Sequence, residues 1–365
     1  MSNSRPTVLI AGASGFVGGA AVERFAADGA AVIGLSRRAP ATRITGVVHL
    51  PLDLRDASAC RAMAPALAPV THLVYAAVNE TPGDLVASWK DPEHAARNGA
   101  MFVNLLGMFE RSGSALEHVT LVHGTKAYAT HRPEVHAPVP LRESLPRPDN
   151  DDFYFRQEDA LFARAKRRGW HWTIFRAPMI AGGGAGSNLN ALLAIAVFAA
   201  LRRDEGLGLP FPGAGPSLGV MEMVDVELLA RAIAWSGRAE TAADQIFNVA
   251  NGDVFAWPDL WPLIAEEMGV AADAPQPMSV RSYLDDAADR WRLLARRHRL
   301  KASEDIGFLG ESGSLADFAL GNCARTILTS TIKLRQAGFG DCIDTAASVV
   351  GWIRRWRAEG LLPPR

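Results

Sequence analysis

The sequence predicts an α/β protein with a doubly wound parallel sheet and a smaller, mostly helical region. Short apolar runs alternate with helical segments up to about residue 177, as in a sheet covered by helices on both faces. A glycine-rich turn lies between the first strand and the first helix. The chain has 365 residues, and single cores stop growing near ~250–300 residues, so a second region is expected.

The order of the predicted elements supports this fold class. Apolar runs of four to eight residues are typical of parallel strands that are buried on both faces. Strands are predicted over 7–11, 31–36, 47–54, 72–77, 119–123, 172–177 and 246–250. Helices are predicted over 17–29, 57–64, 98–112, 159–168, 189–203 and 224–235, and the chain from residue 257 onward is predicted to be mostly helical.

A glycine motif connects the first strand to the first helix. It reads GxxGxxG, with Gly12, Gly15 and Gly18. Gly12 permits the tight turn, Gly15 lets the backbone approach a pyrophosphate, and Gly18 lets the helix pack on the strand. Free N–H groups and a partial positive charge at the helix N-terminus favour phosphate binding. The strand–motif–helix order therefore predicts a dinucleotide site.

The end of the second strand predicts which dinucleotide binds. NAD-binding proteins usually place a carboxylate there, which accepts a hydrogen bond from the ribose 2′-OH. This chain has Ser36, Arg37 and Arg38 instead, and guanidinium groups pair with a 2′-phosphate. The expected cofactor is therefore NADPH/NADP. Asp53, after the third strand, is placed either to meet the adenine or to cap the next helix.

Two regions are expected from the change in pattern after Pro178. Residues 1–178 are predicted to form the NADP-binding domain, with residues 218–250 returning to it. Residues 179–217 and 251–365 are predicted to form the substrate-binding region. The apolar stretch 192–201 is far shorter than the ~20 residues that cross a bilayer, and we expect it to be a lid or pocket helix.

Composition and charge argue against several classes of protein. Lysine and arginine number 38 and aspartate and glutamate 39, so the basic excess of a nucleic-acid binder is missing. Cys60, Cys323 and Cys342 are far apart with no CxxC pair, so we expect neither a disulfide framework nor a metal site. The first residues lack a signal-peptide pattern, which favours a cytoplasmic protein. The bias toward arginine and alanine is typical of a GC-rich bacterial genome.

The GxxGxxG spacing resembles the short-chain dehydrogenase/reductase (SDR) superfamily, extended type. That resemblance implies a Tyr-x-x-x-Lys pair, which this sequence lacks. Its tyrosines, Tyr75, Tyr128, Tyr154 and Tyr283, are followed four positions later by Asn, Arg, Glu and Ala. A scarce lysine, Lys126, instead follows the fifth strand, and ligands of open α/β sheets bind at the carboxyl ends of strands.

Three motifs resemble those of the progesterone 5β-reductase/iridoid synthase-like (PRISE) reductases. GTKAY at 124–128 resembles their GTKHY motif, DFYFRQED at 152–159 resembles NFYYxxED, and FNVANGDVFAW at 247–257 is similar to FNVxNGDVFxW. The resemblance covers nearly the whole chain. It implies an extended SDR fold and NADPH-dependent reduction of the C=C bond of enones and enals. It also implies that Lys126 is the catalytic lysine and Tyr154 the catalytic tyrosine.

Such a pair suits conjugate reduction. When hydride adds to the β-carbon, negative charge grows on the carbonyl oxygen, and a phenol that donates to this oxygen stabilises the enolate. Lys126 is expected to lower the pKa of the Tyr154 phenol and to bind the nicotinamide ribose. Water can protonate the α-carbon. The expected cofactor-binding residues are Gly12, Ser14, Gly15, Phe16, Val17, Gly18, Ser36, Arg37, Arg38, Asp53, Leu54, Ala76, Lys126, Tyr154, Ala177, Met179 and Ile180.

The chain departs from the family pattern at three positions. Phe155 replaces the second tyrosine of the Tyr-Tyr pair, Ala127 replaces a histidine, and Leu315 falls where plant members carry an active-site aromatic residue. We expect Phe155 and Leu315 to make the pocket apolar and open to small enones. The physiological substrate is left open by these changes.

Two other functions stay open. One is a carbonyl reductase or a nucleotide-sugar epimerase/dehydratase on the same scaffold, which the missing Tyr-x-x-x-Lys disfavours. The other is a non-catalytic NADP-sensing protein, which would need the glycine motif but neither Lys126 nor Tyr154. The expected partner is a small-molecule enone or enal, with no nucleic acid and no membrane, and a homodimer is left open.

Overall fold

The computed structural model shows a parallel sheet with helices on both faces. It describes residues 5–40, 44–83, 85–132, 134–184, 189–213, 219–321 and 325–365. The strands within these ranges are β1 (Thr7–Ala11), β2 (Ala31–Ser36), β3 (Val47–Pro51), β4 (His72–Tyr75), β5 (His118–Gly124), β6 (His171–Ala177), β7 (Met179–Ala181), β8 (Leu209–Pro210), β9 (Met223–Asp225), β10 (Gln245–Asn248) and β11 (Ala272–Asp273).

The helices lie between and after these strands. The α-helices in the described ranges are α1 (Phe16–Ala27), α2 (Ala57–Met63), α3 (Leu85–Ser88), α4 (Pro92–Ser112), α5 (Phe153–Arg168), α6 (Ala191–Asp204), α7 (Val226–Ser236), α8 (Trp257–Met268), α9 (Val280–Asp286), α10 (Ala288–His298), α11 (Ser312–Gly321), α12 (Ile332–Gln336) and α13 (Thr345–Ala358). Short 3-10 helices cover Ala64–Leu67, Thr125–Tyr128, Glu240–Ala242 and Ile306–Leu309.

The main sheet has seven strands in the order β3-β2-β1-β4-β5-β6-β10. Each neighbouring pair is parallel. One face of the sheet packs against α4 and α5, and the other face packs against α1 and α7. The doubly wound fold class predicted from the sequence is confirmed. Because the strand order changes direction between β1 and β4, a crevice opens at their carboxyl ends.

Two helices on one face begin earlier than the sequence predicts. Helix α4 begins at Pro92, where the side chain of Asp91 accepts a hydrogen bond from the N–H of Glu93. Helix α5 begins at Phe153, where the side chain of Asp152 accepts from the N–H of Tyr154. The expected starts at 98 and 159 are wrong because aspartate caps, followed by charged or aromatic first turns, carry little apolar periodicity.

The helical region is built around α6. Every residue from Ala191 to Leu201 is at most 1% exposed, and this helix packs in a cluster with Trp257 and Trp291. The expectation of a lid or pocket helix at 192–201 is therefore wrong. A helix that is apolar on all sides forms the centre of a core because no face of it gains from contact with water. The proposed domain bounds stay a prediction.

The segment that resembles the FNVxNGDVFxW motif ties the sheet to the C-terminal part of the chain. Asn248 accepts a hydrogen bond from the Tyr128 hydroxyl at 2.6 Å and donates to the carbonyl of Leu141 at 3.1 Å. Asn251 accepts from the N–H of Asp225 at 2.7 Å and donates to the Thr345 hydroxyl at 3.1 Å. The motif is thus structural, and it also engages the Tyr128 phenol in a buried contact.

In the part of the chain that the structure describes, no helix is both long and apolar enough to cross a membrane. Cys60 is buried and Cys342 is exposed, both as free thiols. Cys323 lies outside the described residues.

The crossing of α1 over β1 depends on Gly18. A Cβ built on this residue would lie 2.1 Å from the carbonyl oxygen of Gly12, a backbone atom in the turn itself. The neighbouring Gly19 differs, because its Cβ would meet only the carbonyl oxygen of Ala13 at 3.8 Å, an ordinary contact. Gly18 therefore sets how closely helix and strand approach each other.

Gly18→Ala is expected to lower the free energy of unfolding by about 1–3 kcal/mol, because the added methyl overpacks a backbone contact. Urea denaturation monitored by circular dichroism measures the change. Gly19→Ala, in the same helical turn, is the matched control and should be neutral or stabilising by up to about 1 kcal/mol, since alanine has the higher helix propensity. Equal losses in both variants would contradict this account of the turn.

Candidate active site

A crevice of about 700 Å³ opens along the carboxyl edge of the sheet. The structure brings together almost all of the residues expected to bind the cofactor. Those that line the crevice are Gly12, Ser14, Gly15, Phe16, Val17, Ser36, Arg37, Arg38, Asp53, Leu54, Ala76, Lys126, Tyr154, Ala177, Met179 and Ile180. Gly18 lies outside this lining and packs α1 on the turn. The role of these residues in cofactor binding stays a prediction.

The glycine turn has the geometry of a phosphate site. Gly12 has φ +88°, and a Cβ there would lie 2.7 Å from the carbonyl oxygen of Ala76. The N–H of Gly15 donates to the carbonyl of Gly12 at 2.8 Å and closes the turn. Gly15 also precedes α1 without a capping side chain, which leaves N–H groups of the first turn available to an anion. This cradle fits a dinucleotide pyrophosphate.

The turn after β2 presents two exposed guanidinium groups, Arg37 and Arg38, to the crevice. The Ser36 hydroxyl donates to the carbonyl of Arg38 at 2.7 Å and holds the turn. Asp53 forms an ion pair with Arg55 at 2.6 Å. Hydrogen bonds from the side chain and the N–H of Arg55, with a smaller contribution from the charge of Arg37, lower the pKa of the Asp53 carboxyl.

Asp53 does not cap the next helix. The cap of α2 is Asp56, whose side chain accepts from the N–H groups of Ser58 and Ala59. The alternative that the sequence left open for Asp53 is therefore wrong. Asp53 remains at the crevice, where its carboxylate is balanced by Arg55.

Lys126 follows β5 in a 3-10 turn and is largely buried. Its Nζ lies 3.3 Å from Oδ2 of Asp152, and the side chains of the two residues are 9% and 1% exposed. The same Nζ lies 4.3 Å from the centre of the Phe153 ring and 4.8 Å from that of Tyr154. Burial lowers the pKa of Lys126, while the Asp152 and Glu80 carboxylates oppose this change. The ammonium is thus held between one carboxylate and two aromatic faces.

Tyr154 lies in the first turn of α5, beside the end of β5. Its ring stacks on His123 with 4.1 Å between the ring centroids and 16° between the planes. A Cβ on Gly124 would lie 3.3 Å from the Tyr154 hydroxyl oxygen, so glycine leaves this hydroxyl its space. The stack and the glycine hold the phenol at the crevice without blocking it.

The pKa of the Tyr154 phenol shifts in the direction opposite to the expected one, although the phenol stays a hydrogen-bond donor as expected. Burial, and then the carboxylates of Asp152 and Glu80, raise the pKa of Tyr154. The expectation that Lys126 lowers this pKa is wrong, because burial raises it and Asp152 balances the charge of the ammonium. The phenol is neutral at physiological pH, and a neutral phenol is a hydrogen-bond donor.

Three polar side chains near Tyr154, those of His123, Gln157 and Glu158, had no predicted role in the site. His123 Nε2 lies 3.1 Å from Oε1 of Gln157, and His123 Nδ1 lies 3.6 Å from Oε1 of Glu158. Burial lowers the pKa of His123, so the imidazole under the phenol is neutral. A signal was present, because Tyr154, Gln157 and Glu158 are spaced i, i+3, i+4 and therefore share one face of a helix.

The three positions at which the sequence departs from the family pattern lie in different parts of the structure. Leu315 lines the crevice, but Phe155 and Ala127 do not. Phe155 is buried and packs under the Arg147 guanidinium, 5.1 Å from its ring centre. The expectation that Phe155 shapes the substrate pocket is therefore wrong, since α5 turns this side chain away from the crevice.

The seven-stranded parallel sheet, the glycine turn and the crevice define a Rossmann-type fold. Solved structures that share the fold include the UDP-glucose 4-epimerase of Thermus thermophilus in complex with NAD, with TM-score 0.64 and 21% identity over 95% of this chain and 99% of that chain. An epimerase of Methanothermobacter thermautotrophicus has TM-score 0.71 and 15% identity over 98% of this chain and 94% of that chain.

The chain belongs to the PRISE family. The model of the PRISE-like Rossmann-fold domain matches residues 58–325, and the family expected from the motifs is confirmed. The (S)-8-oxocitronellyl enol synthase of Nepeta cataria is 29% identical over 332 residues, 87% of this chain and 81% of that protein. The 3-oxo-Δ(4,5)-steroid 5β-reductase of Arabidopsis thaliana is 28% identical over 329 residues, 86% of this chain and 80% of that protein. The chain is an enzyme of the oxidoreductase class.

The pairing of Asp152 with Lys126 can be tested by unfolding. Asp152→Asn keeps an oxygen that caps α5 but removes the charge that faces the buried ammonium. A double-mutant cycle with Lys126→Met, measured by urea denaturation, is expected to give a coupling of about 1–3 kcal/mol. The control is Asp151→Asn, which breaks an exposed pair with Arg156 and should cost under about 0.5 kcal/mol. Additive effects of the Asp152 and Lys126 changes would contradict the pairing.

Proposed function

We propose that this chain is an NADPH-dependent reductase of activated C=C bonds that acts on enones or enals by 1,4-addition. The observation that carries the proposal is the meeting of Lys126 and Tyr154 in the crevice that begins at the glycine turn. The two residues are far apart in sequence and share no Tyr-x-x-x-Lys spacing. The names of the relatives, an enol synthase and a steroid 5β-reductase, support a reductase of conjugated carbonyl compounds.

Tyr154 is proposed to stabilise the charge that develops on the substrate. Bound NADPH supplies a hydride to the β-carbon, and the carbonyl oxygen then becomes an enolate oxygen. The raised pKa of Tyr154 keeps its proton in place, so the phenol acts as a fixed hydrogen-bond donor to that oxygen. The stack on His123 limits the motion of the ring, which reduces the reorganisation needed during the reaction.

Lys126 is proposed to bind the nicotinamide ribose and to add positive potential beside the phenol. Its ammonium is already desolvated and oriented by Asp152, so little ordering is required when the site fills. Proton delivery to the α-carbon needs no dedicated acid, since water can protonate an enolate. This set of residues supports conjugate reduction with one phenol and one cation.

Arg37 and Arg38 are proposed to select NADPH over NADH. Both are exposed at the crevice, after a strand that ends in serine instead of a carboxylate. Exposed guanidinium groups pair with a 2′-phosphate at small desolvation cost. Arg37 and Arg38 line the crevice together with Asp53 and Leu54, where the adenosine part of the cofactor is proposed to bind.

Cofactor preference is the first test. Replacing Arg37 or Arg38 by alanine should weaken NADPH binding about tenfold to a hundredfold, because each loses a charge-assisted pair worth about 1.5–3 kcal/mol. Isothermal titration calorimetry measures the affinity for both cofactors. The affinity for NADH should not change and is the internal control. Equal affinity of the unmodified protein for NADPH and NADH would overturn the proposed selection.

The role of Tyr154 is tested by NADPH oxidation with small enones, compared with ketones and nucleotide sugars. Tyr154→Phe should lower kcat by about 10²–10³-fold and leave NADPH affinity almost unchanged, because only the transition state gains from the phenol. Tyr128→Phe is the comparison, since that hydroxyl donates to Asn248 and is expected to change kcat only a few-fold. A larger loss for Tyr128→Phe, or turnover of nucleotide sugars only, would contradict the assignment.

A further inference from the structure

The described chain after Ile180 contributes one wall of the crevice, and this wall is apolar with a single exception. The described residues after Ile180 that line the crevice include one with a polar side chain, Glu222. The others are Leu189, Met221, Leu315, Phe318, Ala319 and Ile327. In a mostly apolar pocket, a few placed polar groups fix the orientation of a ligand. Glu222 is therefore the polar group by which this wall can recognise a substrate.

Glu222 is held in place by its backbone and by one side-chain partner. It directly precedes β9, which pairs with β7 in the register Met179 with Met223. Its neighbour Met221 bridges to Phe255 and to Ile327. Oε1 of Glu222 accepts a hydrogen bond from the Thr329 N–H at 2.7 Å and another from the Thr329 hydroxyl. The carboxyl is thus positioned before any ligand arrives.

Placing a carboxyl in this wall is costly. Glu222 is 6% exposed, and burial raises its pKa to about 7, with the hydrogen bonds from Thr329 opposing the change. A carboxyl whose pKa lies near neutrality can bind a ligand in its ionised form, and an ionised carboxylate is the stronger hydrogen-bond acceptor. The proposed reduction uses Tyr154 and Lys126 and assigns no role to this carboxyl, so its presence requires another reason.

We propose that Glu222 forms a substrate subsite that accepts a hydrogen bond from a hydroxyl group remote from the conjugated carbonyl. The inference rests on the proposed function and adds the substrate class, a hydroxylated enone or enal with an otherwise apolar carbon frame. The apolar wall binds the frame, and the carboxyl selects substrates that carry the donor. A substrate that lacks the hydroxyl would bind less well, because it would leave the buried carboxyl without a hydrogen-bond donor.

A purely structural role gives different results. If Glu222 only tied the segment around Thr329 to β9, its loss would affect all substrates equally. Glu222→Gln separates the two roles, because the amide oxygen still accepts from Thr329 while the negative charge is gone. Thr329→Val is the matched control, since it removes one donor to Glu222 and leaves the carboxyl and the backbone N–H in place.

The experiment compares straight-chain α,β-unsaturated aldehydes with and without a hydroxyl at the far end, over several chain lengths. The wild type is expected to favour one hydroxylated aldehyde about tenfold or more in kcat/KM over its unsubstituted partner. Glu222→Gln should lower kcat/KM for that hydroxylated aldehyde about tenfold. It should change kcat/KM for the unsubstituted aldehyde less than about twofold and leave NADPH affinity unchanged. Thr329→Val should keep the preference. Equal losses on both aldehydes, or no preference in the wild type, overturn the subsite.

Failure of the proposed function has a separate signature. In that case the wild type oxidises NADPH with neither aldehyde. The subsite is then judged by calorimetry of the corresponding saturated aldehydes, with and without the far hydroxyl, on the NADP⁺-loaded protein. Weaker binding of the hydroxylated aldehyde in Glu222→Gln, with binding of the unsubstituted aldehyde unchanged, supports the subsite, whereas the same affinities in both proteins overturn it.

Discussion

The candidate active site depends on one carboxylate, that of Asp152. Its Oδ1 accepts a hydrogen bond from the N–H of Tyr154 at 3.0 Å and starts helix α5, while its Oδ2 lies 3.3 Å from the ammonium of Lys126. A single side chain therefore fixes the start of the helix that carries the phenol and the position of the cation beside it. Because the side chains of Asp152 and Lys126 are buried, removal of either one leaves the charge of the other without compensation in a dry environment.

Burial and this carboxylate together set the chemical character of the phenol. A lysine alone would favour the phenolate, but the Asp152–Lys126 pair is nearly neutral and burial then raises the pKa of Tyr154. The protein thus presents a hydrogen-bond donor in place of a base. Such a donor suits a reaction in which charge appears on a carbonyl oxygen, since the donor stabilises the product of hydride addition more than the starting carbonyl.

The crevice is shared between two kinds of surface. The sheet edge supplies backbone N–H groups, two arginines and the Lys126–Tyr154 pair, whereas the described chain after Ile180 supplies an apolar wall with Glu222. This division follows from how each part is built. Strand ends expose backbone polar groups and loops, while α11, which packs in the same apolar cluster as α6, offers Leu315, Phe318 and Ala319 to the crevice.

The sequence by itself predicted the doubly wound sheet and the glycine turn, and its motifs singled out Lys126 and Tyr154 as candidate site residues, because strand–helix alternation and short motifs are local properties of the chain. It placed the start of α5 six residues late, since an aspartate cap carries no apolar period. Only the tertiary structure decided the partners of the site. Asp152, His123 and Glu222 acquire their roles from neighbours distant in sequence, and their pKa values depend on burial, which no local pattern specifies. The stretch 192–201 was expected to be a lid or pocket helix and is instead the centre of a core. The reason is the same, because the sequence of an apolar helix does not specify which side chains surround it.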